Sequence, residues 1–237
     1  MSILKVTELC KSYPSFKLSD VSFELEEGKI TGFIGRNGAG KTTTLKSLLG
    51  FVHPDCGEIV FFDKEFDKNE REIKQKIGFI SGGVSFYPAK KLKVITSVTK
   101  QFYPNWNENA YRKYLSLFKL DENKTPKQLS DGMKVKYSLA LALSHNASLL
   151  ILDEPTSGLD PVSRDELTDI FLELVSQGVT ILFSTHITSD LDKCADNILY
   201  IKDGQIKADE PLKKFVQKYT PANLETIMLQ LEKERLS

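Results

Sequence analysis

The sequence predicts an α/β protein. A mostly parallel sheet covered by helices forms its core, with an N-terminal antiparallel β subdomain and an inserted α-helical subdomain. Three observations lead there. Short β-rich runs crowd the first third, helical periodicity dominates the middle third, and the last third alternates apolar strands with helices. The chain of 237 residues is expected to form one unit. Its core covers about 1–84 and 146–210, its helical part about 85–145, and its C-terminal helical tail about 211–237.

Taken in order, residues 3–9, 18–25, 30–34, 57–62 and 77–80 are β-rich with polar or Gly punctuation. Tyr111, Tyr114, Leu115 and Phe118 recur at helical spacing on one face, and Asn107 is placed to cap that helix. A second helix is expected over about 130–144. Residues 149–152 form an all-apolar run typical of a parallel strand buried on both faces. Asp160-Pro161 supplies an N-cap and first helical residue, and Gly178 a stop before a buried strand over 179–183. The tail carries Leu, Phe and Val at helical spacing among Lys and Glu, as amphipathic helices packed on the surface or on a partner.

Composition excludes several classes. Lys plus Arg and Asp plus Glu are both 32, a balance that argues against a protein built to grip nucleic acid. An apolar share of 41% excludes a disordered chain. The longest apolar stretch, 139–152, is broken by Ser144, His145, Asn146 and Ser148, so no membrane span is expected, and no signal peptide is read at the start. Cys10, Cys56 and Cys194 lie far apart in sequence and are expected as free thiols in a reducing cytosol. His53 and His145 are expected to be structural.

The chemistry begins at Gly35-Arg36-Asn37-Gly38-Ala39-Gly40-Lys41-Thr42, continued by Thr43. It follows an apolar strand and opens a helix, the context of a phosphate-binding loop. Glycines let the backbone curl its N–H groups toward phosphate oxygens, the helix adds its positive end, and Lys41 adds a point charge. The Thr42 hydroxyl is a Mg²⁺ ligand in such loops. Residues 149–152 run into Asp153 and Glu154, two carboxylates that belong at the exposed edge of the sheet, where a nucleotide would lie. Asp153 is placed for the Mg²⁺ shell and Glu154 to polarise an attacking water.

With Leu129-Ser130-Asp131-Gly132-Met133, Ser157-Gly158-Leu159-Asp160 and His186 added, the chain resembles the ATP-binding subunits of ABC transporters over about 4–204. The resemblance implies a P-loop NTPase core that binds and hydrolyses ATP with Mg²⁺. Gly35 to Thr42 resembles the Walker A loop, Leu149 to Glu154 Walker B, Ser130, Gly132 and Met133 the signature motif, Ser157 and Asp160 the D-loop, and His186 the switch histidine. Tyr13 resembles the aromatic on which adenine stacks. In this family the signature faces phosphates bound by the opposite subunit, so a second cassette, the same chain or a paralogue, is implied. So is a separate membrane-spanning permease subunit, most similar to the exporter branch, with this chain on the cytoplasmic face of the membrane and no nucleic acid involved. Two rivals are a soluble cassette acting on nucleic acid or the ribosome, and a regulator that binds nucleotide without hydrolysis. No sustained heptads separate Lys41 from Ser130, and Glu154 and His186 are intact, which argues against both.

Three features depart from or extend the pattern. Asp131 and Met133 replace Gly and Gln of the signature, and Asp131 must point away from phosphates to be tolerated. Gly82 stands where the family carries Gln or an acidic residue, so Gly82→Gln is expected to raise basal turnover or tighten Mg-ATP binding. The stretch 84–106 holds Phe86, Tyr87, Lys90, Lys91, Lys93, Phe102 and Tyr103, a candidate docking surface for the membrane subunit.

Overall fold

The computed structural model describes residues 2–82, 87–219 and 223–233. The chain begins β1 (Ser2–Tyr13), β2 (Phe16–Glu26), β3 (Ile30–Ile34), α1 (Lys41–Leu48), β4 (Cys56–Phe61), β5 (Lys64–Glu65), α2 (Phe66–Lys74) and β6 (Ile77–Ser81). It continues through α3 (Leu92–Thr99), α4 (Glu108–Leu117), α5 (Asp131–Ser144), β7 (Leu149–Asp153), α6 (Pro161–Ser176), β8 (Thr180–Thr185) and α7 (Thr188–Cys194). It closes with β9 (Asn197–Lys202), β10 (Gln205–Pro211), α8 (Leu212–Gln217) and α9 (Leu224–Lys233). The expected strands and helices are all present. β1 runs on to Tyr13 because its polar end keeps pairing with β2 across two bulges, where the apolar signal has already faded.

Two sheets form. One has four antiparallel strands in the order β2-β1-β4-β5. The other has six in the order β10-β9-β3-β8-β7-β6, parallel except for β10. Alternate residues of the parallel strands feed opposite layers. Leu150 and Leu152, with Ile181 and Phe183, pack with α5 and α6. Leu149, Ile151 and Leu182 pack toward α1 and the antiparallel sheet.

Helix ends follow the capping residues. Asn107 Oδ1 accepts from the Ala110 N–H at 3.0 Å, and Asp160 Oδ1 from Val162 and Ser163 at 3.0 Å. Gly178 stops α6 at φ 91°. Tyr111, Leu115 and Phe118 are buried, as the periodicity requires. Buried Thr96 lies 2.8 Å from the hydroxyls of both Tyr111 and Tyr137, tying α3, α4 and α5 together by bonds worth about 1 kcal/mol each. The tail folds back on the chain's own core, with Leu224, Ile227 and Met228 buried.

Candidate active site

Strand register builds the site. Ser81 pairs with Asp153, Asp153 with Ser184, and Ile34 with Thr185, so the ends of β6, β7, β8 and β3 form one row. The loop from Gly35, the carboxylates and His186 all leave that edge.

The loop fits only glycine at key positions. A Cβ on Gly35 would overlap the Ile201 carbonyl, and Gly38 and Gly40 take φ 84° and 118°. The Gly204 N–H donates to the Ala39 carbonyl at 3.0 Å and braces the loop from the β9–β10 turn. Helix α1 starts with no side-chain cap and no acid in its first turn, leaving its N–H groups and positive end for an anion. Asn37 and Gly38 are exposed, Thr42 is exposed and Thr43 is half-buried.

Lys41 is 5% exposed. Its ammonium donates to the Gly35 carbonyl at 2.7 Å and stands 3.7 Å from Glu154 Oε1. Burial pulls its pKa below the ordinary value, while the charges of Glu154 and Asp153 push it back up. A buried cation held by carbonyls and one carboxylate matches a phosphate ligand. Asp153 is buried at the end of β7 and accepts from Ser184 Oγ at 2.7 Å. Ser184 is a site residue that motif reading passed over, although it stands two places before the histidine that follows the same strand. Glu154 takes φ 53°, gives its N–H to the Ser184 carbonyl at 3.0 Å, and accepts from His186 Nδ1 at 2.5 Å. Lys41, Glu154 and His186 thus form one chain of charge and hydrogen bonds. Tyr13 ends β1, 42% exposed as a residue, with the Lys11 ammonium 5.9 Å from its ring centroid.

The signature residues stand elsewhere. Ser130 caps α5, accepting from the Met133 N–H at 3.3 Å, and a Cβ on Gly132 would lie 3.6 Å from Ser163 of α6. Met133 turns its side chain onto the core, so its contribution at this surface is main-chain. Asp131 pairs with Lys134 at 2.7 Å, which answers the charge it would otherwise bring near phosphates. Among the described residues no hydrogen bond or ion pair joins residues 130–133 to the loop at 35–43. Asp160 serves as the α6 cap, its carboxyl held below the usual range first by Ser163, and Ser157 is exposed with its N–H on the Glu154 carbonyl at 3.2 Å.

Gly82 corrects an expectation. Its N–H donates to the Asp153 carbonyl at 2.6 Å, and a Cβ there would overlap the main-chain oxygen of Glu154, the oxygen that also holds Ser157. A Gln at this position cannot simply reach toward a metal; it displaces Glu154. Gly82→Gln should therefore lower turnover, by about 10²-fold for a shift near 1 Å, rather than raise it. Phosphate release by a variant with a native circular dichroism spectrum checks this, and unchanged or higher turnover would contradict it.

Other expectations fare variously. His145 is structural, stacked on Tyr103 at 3.8 Å between ring centroids and 3.1 Å from the Gln75 carbonyl, and burial lowers its pKa. Tyr87 is 74% and Phe102 69% exposed, while Tyr103 packs inward; Phe86 and Gly83 lie outside the described residues. Sequence reasoning expected helices in the tail but did not bring one to this site, and it passed over Arg36. A cavity of about 630 Å³ lies between Gly35, Arg36, His186 and α9, and Glu232 of α9 stands 4.0 Å from Arg36 while accepting from the Tyr200 hydroxyl at 3.0 Å.

The family model described as ABC transporter matches residues 18–157. The bacitracin transport ATP-binding protein BcrA of Bacillus licheniformis is 36% identical over 225 residues, covering 92% of this chain and 74% of that protein. The lantibiotic transport ATP-binding protein SrtF of Streptococcus pyogenes is 36% identical over 211 residues, covering 86% of this chain and 89% of that protein. A solved ATP-binding subunit of an ABC transporter superposes with a TM-score of 0.87 at 27% identity, covering 98% of this chain and all of that one. The match of the family model and of such subunits along most of the chain, with a loop, acid pair and histidine brought to one sheet edge, makes it a member of the ABC transporter ATP-binding family.

Proposed function

We propose that this chain binds Mg-ATP and hydrolyses it as one of two head-to-tail cassettes that drive export through a separate membrane-spanning subunit. The observation that carries the hydrolytic reading is the chain Lys41–Glu154–His186 at the sheet edge. A triphosphate entering the loop competes for Lys41, drawing it from the Gly35 carbonyl and from Glu154. Glu154 then orients a water and accepts its proton as the water's oxygen bonds to the γ-phosphorus. The bond to the β-phosphate oxygen breaks, giving ADP and inorganic phosphate. Little covalent help is needed, and placement and charge supply the catalysis. Mg²⁺, when bound, would be held by the Thr42 hydroxyl and Asp153 and would supply positive charge to offset that of the phosphates. Asp153, with one oxygen held by Ser184 Oγ at 2.7 Å, and the exposed Thr42 are hard oxygen donors of the kind this ion takes.

The signature residues lie apart from the chain's own loop, so Ser130 and Gly132 of one cassette are set against the loop of the other. Among the described residues no helix is long and apolar enough to cross a membrane. A peripheral place on the cytoplasmic face follows from docking to the membrane subunit. A cavity of about 330 Å³ between β6 and α5, lined by Phe79, Thr99, Tyr103 and Leu141, suits a segment of that subunit. The export direction rests on the likeness to the bacitracin and lantibiotic transport proteins.

Co-expression with a candidate membrane-spanning subunit, sought in the gene neighbourhood, tests the reading. Membranes holding both should release phosphate from ATP faster than the isolated chain. Co-purification with ribosomal particles or DNA, or no phosphate release with the partner present, would overturn it. Tyr87→Ala should leave ATP affinity of the isolated chain within about twofold while removing most of that stimulation, as truncation of an exposed aromatic anchor does. Equal loss of nucleotide affinity would place Tyr87 in the fold instead.

A further inference from the structure

Cys10 and Cys56, separated by most of the first third of the sequence, are cross-strand partners in the β1–β4 pair. Residues directly opposite in an antiparallel pair have Cα atoms about 4.5–5.5 Å apart, inside the range of about 4.4–6.8 Å that a disulfide spans. The side chains also converge. Cys10 Sγ lies 3.4 Å and Cys56 Sγ 3.6 Å from one oxygen, the Glu8 carbonyl. A bulge between Thr7 and Cys10 creates this aim, with Glu8 at φ 51°. Gly57 opposite takes φ 102°, and a Cβ there would come 2.6 Å from Leu9 Cα. Asp55 pins the same spot, bonding Lys11 Nζ and the Ser12 N–H at 2.7 Å each. Cys56 is exposed and Cys10 half-buried, so a small reagent reaches the pair. The neighbouring Cys10 thiol holds Cys56 above its ordinary pKa, which slows thiolate formation but places the two sulfurs in one environment. Cys194 differs in access: it is buried, out of reach of a small reagent.

We propose that Cys10 and Cys56 are a reversible dithiol–disulfide pair whose oxidant is a low-molecular-weight disulfide. The Cys56 thiolate attacks one sulfur of the small disulfide, the S–S bond breaks, and one small thiol leaves. The Cys10 thiolate then attacks Cys56 sulfur, the Cys10–Cys56 bond forms, and the second small thiol leaves. Two electrons pass from the cysteines to the small disulfide, and the two thiol protons end on the released thiols. The pair belongs to the antiparallel sheet, not to the edge that carries Glu154, so its chemistry is read without an ATPase assay.

The test treats the reduced full chain with excess oxidised glutathione, then alkylates it in denaturant for mass spectrometry. The expected result is loss of two of the three alkylatable thiols with no glutathione retained. One cross-linked peptide should hold Cys10 and Cys56, Cys194 should be alkylated, and dithiothreitol should restore all three thiols. In Cys56→Ser and in Cys10→Ser, the remaining thiol of the pair should keep its glutathione. Three unreacted thiols, glutathione retained on both residues of the wild type, or a bond to Cys194 or to a second chain would each overturn the proposal.

Discussion

Glu154→Gln should reduce steady-state ATP turnover by about 10²–10⁴-fold while ATP still binds. The amide keeps the size of the carboxylate, and its oxygen can still accept from His186 Nδ1, now 2.5 Å from Glu154 Oε2. The main chain at φ 53° and its bond to Ser184 are untouched. What is lost is the group that takes a proton from water. Removing a negative charge that faces the phosphates should leave ATP affinity equal or tighter, so paired cassettes should persist with ATP between them. Phosphate release and size-exclusion chromatography in Mg-ATP measure both effects. Turnover near the wild-type rate would remove Glu154 from the catalytic position.

Lys41→Ala acts one step earlier, on binding. Its ammonium is buried with a carbonyl at 2.7 Å, and a charge-assisted bond of this kind contributes about 1.5–3 kcal/mol. ATP affinity should fall roughly 10- to 150-fold, as read by calorimetric titration with Mg²⁺ present. Stability should fall less than for an ordinary core truncation. Burial already pulls the Lys41 pKa down, which means the fold penalises its charge, and alanine relieves that penalty. Undiminished affinity in a folded variant would exclude Lys41 from the phosphate site.

The two variants touch what was most legible in the sequence. Gly35 to Thr42, Asp153, Glu154 and His186 could be placed because their roles depend on short segments: a strand, its last residue and the turn after it. The caps at Asn107, Ser130 and Asp160 are equally local. Three features were not legible, each for a physical reason. Gly82 is needed because the Glu154 carbonyl arrives from another strand, and no local signal marks that approach. Cys10 meets Cys56 through a register set by a bulge, which sequence spacing does not fix. The tail's helical spacing marks an apolar face on α9 but not its destination beside Arg36 and His186.

The row formed by Ser81, Asp153 and Ser184 also divides the chain's evolutionary freedom. Connections that leave the opposite end of the sheet can gain or lose residues without moving any reacting group. A single residue inserted or deleted within β7 is another matter. It would turn Asp153 to the other face of the sheet and carry Glu154 past Ser184, whatever residue was added. Lineages descending from this sequence should thus vary in the length of their loops and hold the length of these strands fixed, even where the side chains within them drift.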